Sequence, residues 1–209
     1  ERVLFLCFNA QLKEYLEENY ARDLVSYYTI AGFACKTCNT VKPDYDELKS
    51  KLEDYYISGS FPYKHVIIDE GQDFGSEAIE ETDIIQLIHD IIVDADQGGT
   101  FYVFYDRLQL IQAREMPKFI GDLDCRLTLY RNCRNTENIA VTSLRPITER
   151  KPKVFEGAVK GAPAKIHFCD STQNERERID SIIDDLAADG YRDIVLLTCK
   201  TEATSILSD

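Results

Sequence analysis

The chain alternates continuous apolar runs of strand length with segments whose apolar residues recur at helical spacing. Residues 3–8 form the first apolar run, and Leu12, Tyr15 and Leu16 then recur among Lys and Glu residues. A continuous run is typical of a strand covered on both faces in a parallel sheet, whereas a spacing of three or four is typical of a half-buried helix. The first predicted unit is therefore βα.

The alternation continues through the first part of the chain. Asp44 and Glu47 can form a capping box at the start of a helix, and Gly59 ends that helix. The next predicted elements are a strand at residues 64–68, a long amphipathic helix from residue 76 to the glycines at 98 and 99, and a strand at residues 100–105. Strands that alternate with helices predict a parallel α/β sheet.

Beyond residue 120 the alternation starts again. Thr172 and Glu175 can form a second capping box, at the start of a helix that Gly190 ends. A further helix is predicted from residue 136, and strands are predicted at residues 126–130, 165–169 and 193–198. At roughly 100–200 residues per domain, the chain should hold one large domain or two small ones.

Composition and charge exclude several classes of protein. The 209 residues are 44% hydrophobic and 29% charged, near the globular average, which argues against intrinsic disorder. The 24 Lys and Arg residues against 37 Asp and Glu residues give a net charge of −13, which excludes a broadly basic nucleic-acid coat. No apolar run approaches the roughly 18 residues of a membrane span, and no basic leader precedes a cleavage site. We therefore expect no membrane partner and a cytoplasmic location.

The seven cysteines favour reduced thiols over a disulfide framework, because their number is odd and no secretory leader is present. Cys35 and Cys38 form the only close pair. A zinc site built on such a pair needs a second pair, so two ordinary thiols are favoured here. The sequence leaves metal binding by this pair open.

Acidic residues follow two of the predicted strands. Asp69 and Glu70 come directly after the strand at 64–68, and Asp106 follows the strand at 100–105. Ligands of open parallel sheets bind beyond the carboxyl ends of the strands. A carboxylate there can hold Mg²⁺, and its neighbour can orient or deprotonate an attacking water. Acids also end strands as turn residues or helix caps, and on these residues alone both interpretations stay open.

The string Asp69-Glu70-Gly71-Gln72-Asp73, preceded by an apolar strand, resembles motif II of the superfamily 1 helicases in their UvrD/Rep-like branch. Further segments resemble motifs of this family in the expected order. They are residues 3–12 (motif Ia), residues 29–33 (a Thr-x-x-x-Phe segment), residues 101–111 with Asp106 and Gln109 (motif III), residues 127–139 with Asn132 and Arg134 (motif IV), and residues 165–207 (the continuation of the second domain).

The resemblance implies a parallel-sheet RecA-like domain of the P-loop NTPase type, followed by the beginning of a second one. Residues 1–123 would be the first domain (1A) without its phosphate-binding loop, and residues 124–209 the start of the second (2A). The implied activity is that of an ATP-dependent DNA helicase or translocase. Its cofactors would be ATP and Mg²⁺, and its partner single-stranded or partly duplex DNA.

The resemblance also implies roles for individual residues. Asp69 would coordinate the Mg²⁺ of MgATP, and Glu70 would activate the hydrolytic water. Gln109 would sense the γ-phosphate and link it to the DNA site, while Arg134 would reach the same phosphate from the second domain. Gln72 would belong to the network that couples the ATP cleft to the DNA-binding surface. Taken alone, Arg134 would more simply be a surface or capping residue.

The sequence departs from the family at several positions. It holds no Gly-x-x-x-x-Gly-Lys-[Ser/Thr] sequence, so the cradle for the β- and γ-phosphates is missing, which truncation would explain. Cys133 and Gln112 stand where the family usually has rings for stacking on bases. We therefore predict that the 209 residues alone neither hydrolyse ATP nor unwind DNA.

Two other functions fit the same residues. In one, the chain is a degenerate helicase-like module that binds a protein partner and performs no catalysis. In the other, four acids form a metal-dependent nuclease site, namely Asp69, Glu70, Asp73 and Asp106.

Overall fold

A computed structural model of the protein describes residues 2–74, 79–93, 98–106, 117–121, 123–144, 153–198, 200 and 205–206. The chain divides into two compact units, residues 1–128 and residues 129–209. The strands of the first unit are β1 (Val3–Leu6), β2 (Val25–Tyr28), β3 (His65–Ile68) and β4 (Thr100–Val103). Its helices are α1 (Ala10–Tyr20), α2 (Ile30–Cys38), α3 (Tyr45–Ser58), α4 (Ile79–Val93) and α5 (Lys118–Gly121).

The first unit is built on a four-stranded sheet that is parallel throughout, in the order β2-β1-β3-β4. This confirms the prediction of a parallel α/β sheet. Strand β1 pairs with β2 on one side and with β3 on the other, and the last residues of β1 and β3, Leu6 and Ile68, lie opposite each other. Because the strands are parallel and in register, the segments after β1, β3 and β4 all leave the same edge of the sheet.

One face of the sheet carries the core. Leu4 and Leu6 of β1 and Val66 and Ile68 of β3 are fully buried and belong to one apolar cluster. The cluster also contains buried residues of four helices: Phe33 and Ala34 of α2, Leu48 and Leu52 of α3, Ile84, Ile85, Ile88, Ile91 and Ile92 of α4, and Phe119 and Ile120 of α5. The residues of β1 and β3 that face the other way are only half-buried, so the expectation of strands covered completely on both faces is wrong.

Local signals set the ends of the helices. The Asp44 carboxylate accepts a hydrogen bond from the Glu47 backbone N–H at 2.9 Å, which is one half of the predicted capping box, and Gly59 ends α3 in the left-handed region at φ +62°, as predicted. Asn9 and Thr29 cap α1 and α2 in the same way as Asp44 caps α3. The predicted helix start at residue 76 lies outside the described residues.

The second unit contains α6 (Glu137–Leu144), α7 (Thr172–Ala188) and a two-residue parallel ladder of β5 (Arg131–Asn132) with β6 (Lys153–Val154). Helix α6 confirms the helix predicted from residue 136. Helix α7 confirms the helix predicted to end at Gly190, but the predicted cap at Thr172 is wrong. Ser171 is the N-cap, and its hydroxyl oxygen accepts a hydrogen bond from the Asn174 backbone N–H. Gly190 follows its last turn in the left-handed region.

The three strands predicted beyond residue 120 are wrong. Residues 126–130, 165–169 and 193–198 form no strand in the structure. Their apolar side chains are largely in solvent, since Leu129 and Phe168 are each 94% exposed and Leu197 is 91% exposed. A parallel strand needs ladder partners and a covering layer, and helix α7, which has no buried residue, does not provide that layer. The apolar pattern alone therefore predicts more strands than the chain forms.

Candidate functional site

The candidate site is the acidic turn, defined as residues 69–74, which follows β3 at the carboxyl edge of the sheet. The Asp69 backbone N–H donates to the Leu6 carbonyl oxygen at 3.0 Å, so the turn begins as a continuation of the ladder with β1. The Asp69 Oδ1 atom then accepts a hydrogen bond from the Glu70 backbone N–H at 3.0 Å. Asp69 is therefore held at the strand tip by backbone contacts on both sides.

Glu70 adopts a backbone conformation that is rare for its residue type. Its φ of +53° and ψ of +44° lie in the left-handed region, which costs a residue with a side chain about 1–3 kcal/mol. The surrounding hydrogen bonds hold it there. The Asp73 backbone N–H donates to the Glu70 carbonyl oxygen, and the Gly71 backbone N–H donates to the Phe104 carbonyl oxygen, each at 2.9 Å. Such strained positions cluster at functional sites.

Gln72 connects the acidic turn to the segment after β4. Its side chain is completely buried, and both of its polar ends are paired. The Nε2 group donates to Glu70 Oε2 at 2.6 Å, and the Oε1 atom accepts from the Asp106 backbone N–H at 3.0 Å. The turn after β3 and the residue after β4 are thus joined through one side chain.

Burial sets the electrostatics of the turn. Desolvation raises the pKa of Asp69; the hydrogen bond from the Glu70 backbone N–H opposes this, and the Glu70 charge adds to it. Desolvation, followed by the Glu70 charge, also raises the pKa of Asp73. The Asp73 Oδ1 atom is buried without a hydrogen-bond partner among the described residues. The turn therefore concentrates negative charge where water screens it poorly.

The structure brings together only part of the predicted site. Asp69, Glu70 and Gln72 lie in one turn, and Asp106 joins them through its backbone N–H. Gln109 lies outside the described residues. Gly71 also belongs to the site, because it lies against β4. The sequence did not predict this contact, since its only sign there is a glycine between two polar residues.

Arg134 belongs to the second unit. It is exposed, and its guanidinium makes no ion pair with any residue that the structure describes. The backbone N–H groups of Arg134 and Asn135 both donate to the Asn132 Oδ1 atom, at 3.2 and 3.0 Å. Asn132 therefore fixes the turn that carries Arg134 into α6.

The donor set fits Mg²⁺ with Asp69 as a single protein ligand. Mg²⁺ binds oxygen atoms, keeps several waters and is usually held by one or two carboxylates together with substrate phosphates. Asp69 offers a carboxylate oxygen beyond the one paired with the Glu70 N–H, and a cation would offset the cost of its burial. Within the described ranges, no group of three or more His, Cys, Asp or Glu side chains is arranged to hold a metal ion.

A cleft of about 250 Å³ lies elsewhere, between α1 and β2, and is lined by Glu17, Arg22 and the residues of β2. It contains no residue of the acidic turn. The candidate site thus rests on the geometry of the turn and not on an enclosed cavity.

No model of a protein family matches the chain, and no curated protein matches it at a significant level. Among the described helices, none combines the length and the apolar character needed to span a bilayer.

Proposed function

We propose that this chain carries the nucleotide-hydrolysing acids of an ATP-dependent DNA helicase or translocase of the superfamily 1 UvrD/Rep-like type. The observation that carries the proposal is the acidic turn, in which Asp69 directly follows a sheet strand and Glu70 comes next in a left-handed conformation. Phosphoryl transfer needs positioning and charge neutralisation more than covalent chemistry by the protein. Two adjacent carboxylates, each held by its own hydrogen bond, can provide that positioning.

The two acids would have different tasks. Bound Mg²⁺ would supply the positive charge that neutralises the phosphates. Asp69 would provide an oxygen ligand at the strand tip, and its hydrogen bond from the Glu70 N–H would fix the orientation of its carboxylate. Glu70 would orient the attacking water and accept its proton, a role typically worth about 10²–10⁴ in rate.

The remaining roles are proposals from the family resemblance. Arg134 would stabilise the charge that develops on the γ-phosphate, and Gln109 would sense the same group. Single-stranded or partly duplex DNA would be the partner, and the net charge of −13 requires its contacts to be local. The 209 residues alone hold no phosphate-loop sequence, so we expect hydrolysis only in the protein encoded by the complete reading frame.

The test is DNA-stimulated ATP hydrolysis by the protein encoded by the complete reading frame. We expect Glu70→Gln to lower kcat by about 10²–10⁴ while KM for MgATP stays similar, because the base is lost and the metal ligand Asp69 is kept. The matched control is Glu53→Gln, at an exposed position on α3, which should keep wild-type kcat.

Two outcomes would contradict the proposal. One is a wild-type protein that hydrolyses no ATP with single-stranded DNA present; the other is a Glu70→Gln variant with unchanged kcat. Metal-dependent cleavage of the DNA in the same assay would instead favour the nuclease alternative.

A further inference from the structure

The hydrogen bonds of Gln72 distinguish the two oxygens of the Glu70 carboxylate. Gln72 Nε2 donates to Oε2 at 2.6 Å, and no described residue donates to Oε1. A carboxylate oxygen that already accepts a hydrogen bond is less available to accept a proton from a water. Within the described ranges, Oε1 is thus the Glu70 oxygen that accepts no hydrogen bond, and it can accept one from an incoming donor.

The same side chain ties Glu70 to the backbone beyond β4. Gln72 Oε1 accepts from the Asp106 N–H at 3.0 Å, and Gln72 is the only polar residue that is buried in the described part of the chain. A buried amide whose two ends are both paired is costly to displace, because displacement leaves donors and acceptors unsatisfied. Residues 70 and 106 are 36 positions apart in the chain, yet the Gln72 side chain is hydrogen-bonded to both of them.

We infer that Gln72 is a positioning residue, which fixes the Glu70 carboxylate so that Oε1 faces the substrate water and makes that orientation depend on the segment after β4. The catalytic part of this inference rests on the proposed function. Because its side chain is completely buried, Gln72 would act through Glu70 and not directly on the substrate. A shift of the Asp106 backbone would move the Gln72 amide and, with it, the base.

Gln72→Glu separates the two hydrogen bonds. In its ionised form the introduced carboxylate can still accept from the Asp106 N–H but has no proton to donate to Glu70 Oε2, so the variants are compared at alkaline pH, where a proton shared between the two carboxyl groups is lost. Gln72→Leu has a similar size and loses both bonds. The matched control is Gln86→Glu on α4, where a partly buried amide donates to a carboxylate, Asp90 Oδ1, at 2.8 Å, outside the acidic turn.

The structural arm uses amide hydrogen exchange followed by NMR on the 209-residue chain. We expect Gln72→Leu to speed exchange of the Asp106 N–H by about tenfold or more, and Gln72→Glu to leave it within about twofold. Glu70→Ala should speed exchange of the Gln72 side-chain NH₂ protons. Unchanged exchange of the Asp106 N–H in Gln72→Leu, in a chain that keeps its native spectrum, would overturn the inference.

The kinetic arm uses DNA-stimulated ATP hydrolysis by the protein encoded by the complete reading frame. We expect Gln72→Glu to lower kcat by about 10²-fold, since a misplacement of about 1 Å costs that much, while KM for MgATP changes by less than about threefold. Gln86→Glu should keep wild-type kcat. Equal loss in Gln72→Glu and Gln86→Glu, or no loss in Gln72→Glu, would overturn the positioning role.

The two arms separate the inference from the proposed function. If the wild-type protein hydrolyses no ATP, the proposed function fails, and the exchange measurements still decide whether Gln72 holds Glu70 and Asp106 together. If hydrolysis depends on Glu70 but not on Gln72, the proposed function stands and the inference fails.

Discussion

Gly71 lies so close to Val103 that a Cβ atom on its backbone would come within 2.4 Å of Val103 Cγ1. The Phe104 carbonyl oxygen accepts the Gly71 N–H in the same contact. The acidic turn can therefore reach β4 only because residue 71 has no side chain.

This contact predicts a specific coupling in stability. Gly71→Ala should destabilise the protein by about 1–3 kcal/mol, the usual cost of overpacking. Adding Val103→Ala removes the clashing methyl, so the double variant should be more stable than the sum of the single changes by at least about 0.5 kcal/mol. Urea unfolding measures all three.

Gly121→Ala is the control for the Gly71 variants. A Cβ at Gly121 meets no atom within 4 Å, so this change should alter stability by less than about 0.5 kcal/mol. A Gly71→Ala protein as stable as Gly121→Ala would show that the turn relaxes away from β4.

Asp69 should make a pH-dependent contribution to stability. Burial raises its pKa above the ordinary 3.8, so the folded state holds this proton more tightly than the unfolded state. The stability due to this proton is present below about pH 4 and is lost as pH rises through the folded-state pKa. Asp69→Asn should therefore raise the thermal midpoint at pH 7, with a gain that vanishes below about pH 4.

The control for this variant is Asp54→Asn, at an exposed position on α3, which should show no such pH-dependent gain. Lower stability of Asp69→Asn at pH 7 would mean that the charge has a favourable partner. In the protein encoded by the complete reading frame, the same substitution should abolish ATP hydrolysis, which is the usual trade between stability and a functional carboxylate.

Arg134 and Arg131 provide a matched pair of exposed arginines near the start of α6. Arg134→Ala should lower DNA-stimulated ATP hydrolysis by about 10³–10⁵, if it stabilises the γ-phosphate as proposed. Arg131 pairs with Glu156 at 3.1 Å on the surface, where such pairs contribute little, so Arg131→Ala should keep kcat. Similar kcat values for both variants would remove Arg134 from the site.

Cys7 should resist alkylation in the native protein. Burial raises the pKa of its thiol to about 12, and the nearby charges of Asp69 and Glu17 add to the shift. At pH 8 roughly one thiol in 10⁴ would be ionised, and the side chain is also fully buried. Mass spectrometry after iodoacetamide treatment should find exposed Cys169 modified long before Cys7. Modification of both at similar rates would contradict this prediction.

Local signals in the sequence predicted much of the first unit. The caps at Asp44 and Gly59 act through residues three or four positions away, so the sequence contains both partners. Strand β2 was missed, because Val25–Tyr28 is short and not continuously apolar; its pairing with β1 determines it. The opposite error occurred at residues 126–130, where apolar residues lack the partners that would make a strand.

The candidate site was also predicted only in part. Asp69, Glu70 and Gln72 were predicted from one short string of residues. The fit of Gly71 against Val103 and the hydrogen bond from the Asp106 N–H to Gln72 were not, because they join parts of the chain more than 30 residues apart. Such contacts depend on the order and register of the strands, which the local pattern does not encode.

The central place of β1 in the sheet affects how the protein can fold during synthesis. Its two neighbours are residues 25–28 and residues 65–68, and β4 follows only at residues 100–103. A nascent chain that has emerged to residue 60 therefore exposes one open edge of an apolar strand. Until residues 65–68 have been synthesised and have paired with β1, this edge can mispair with other strands or bind chaperones.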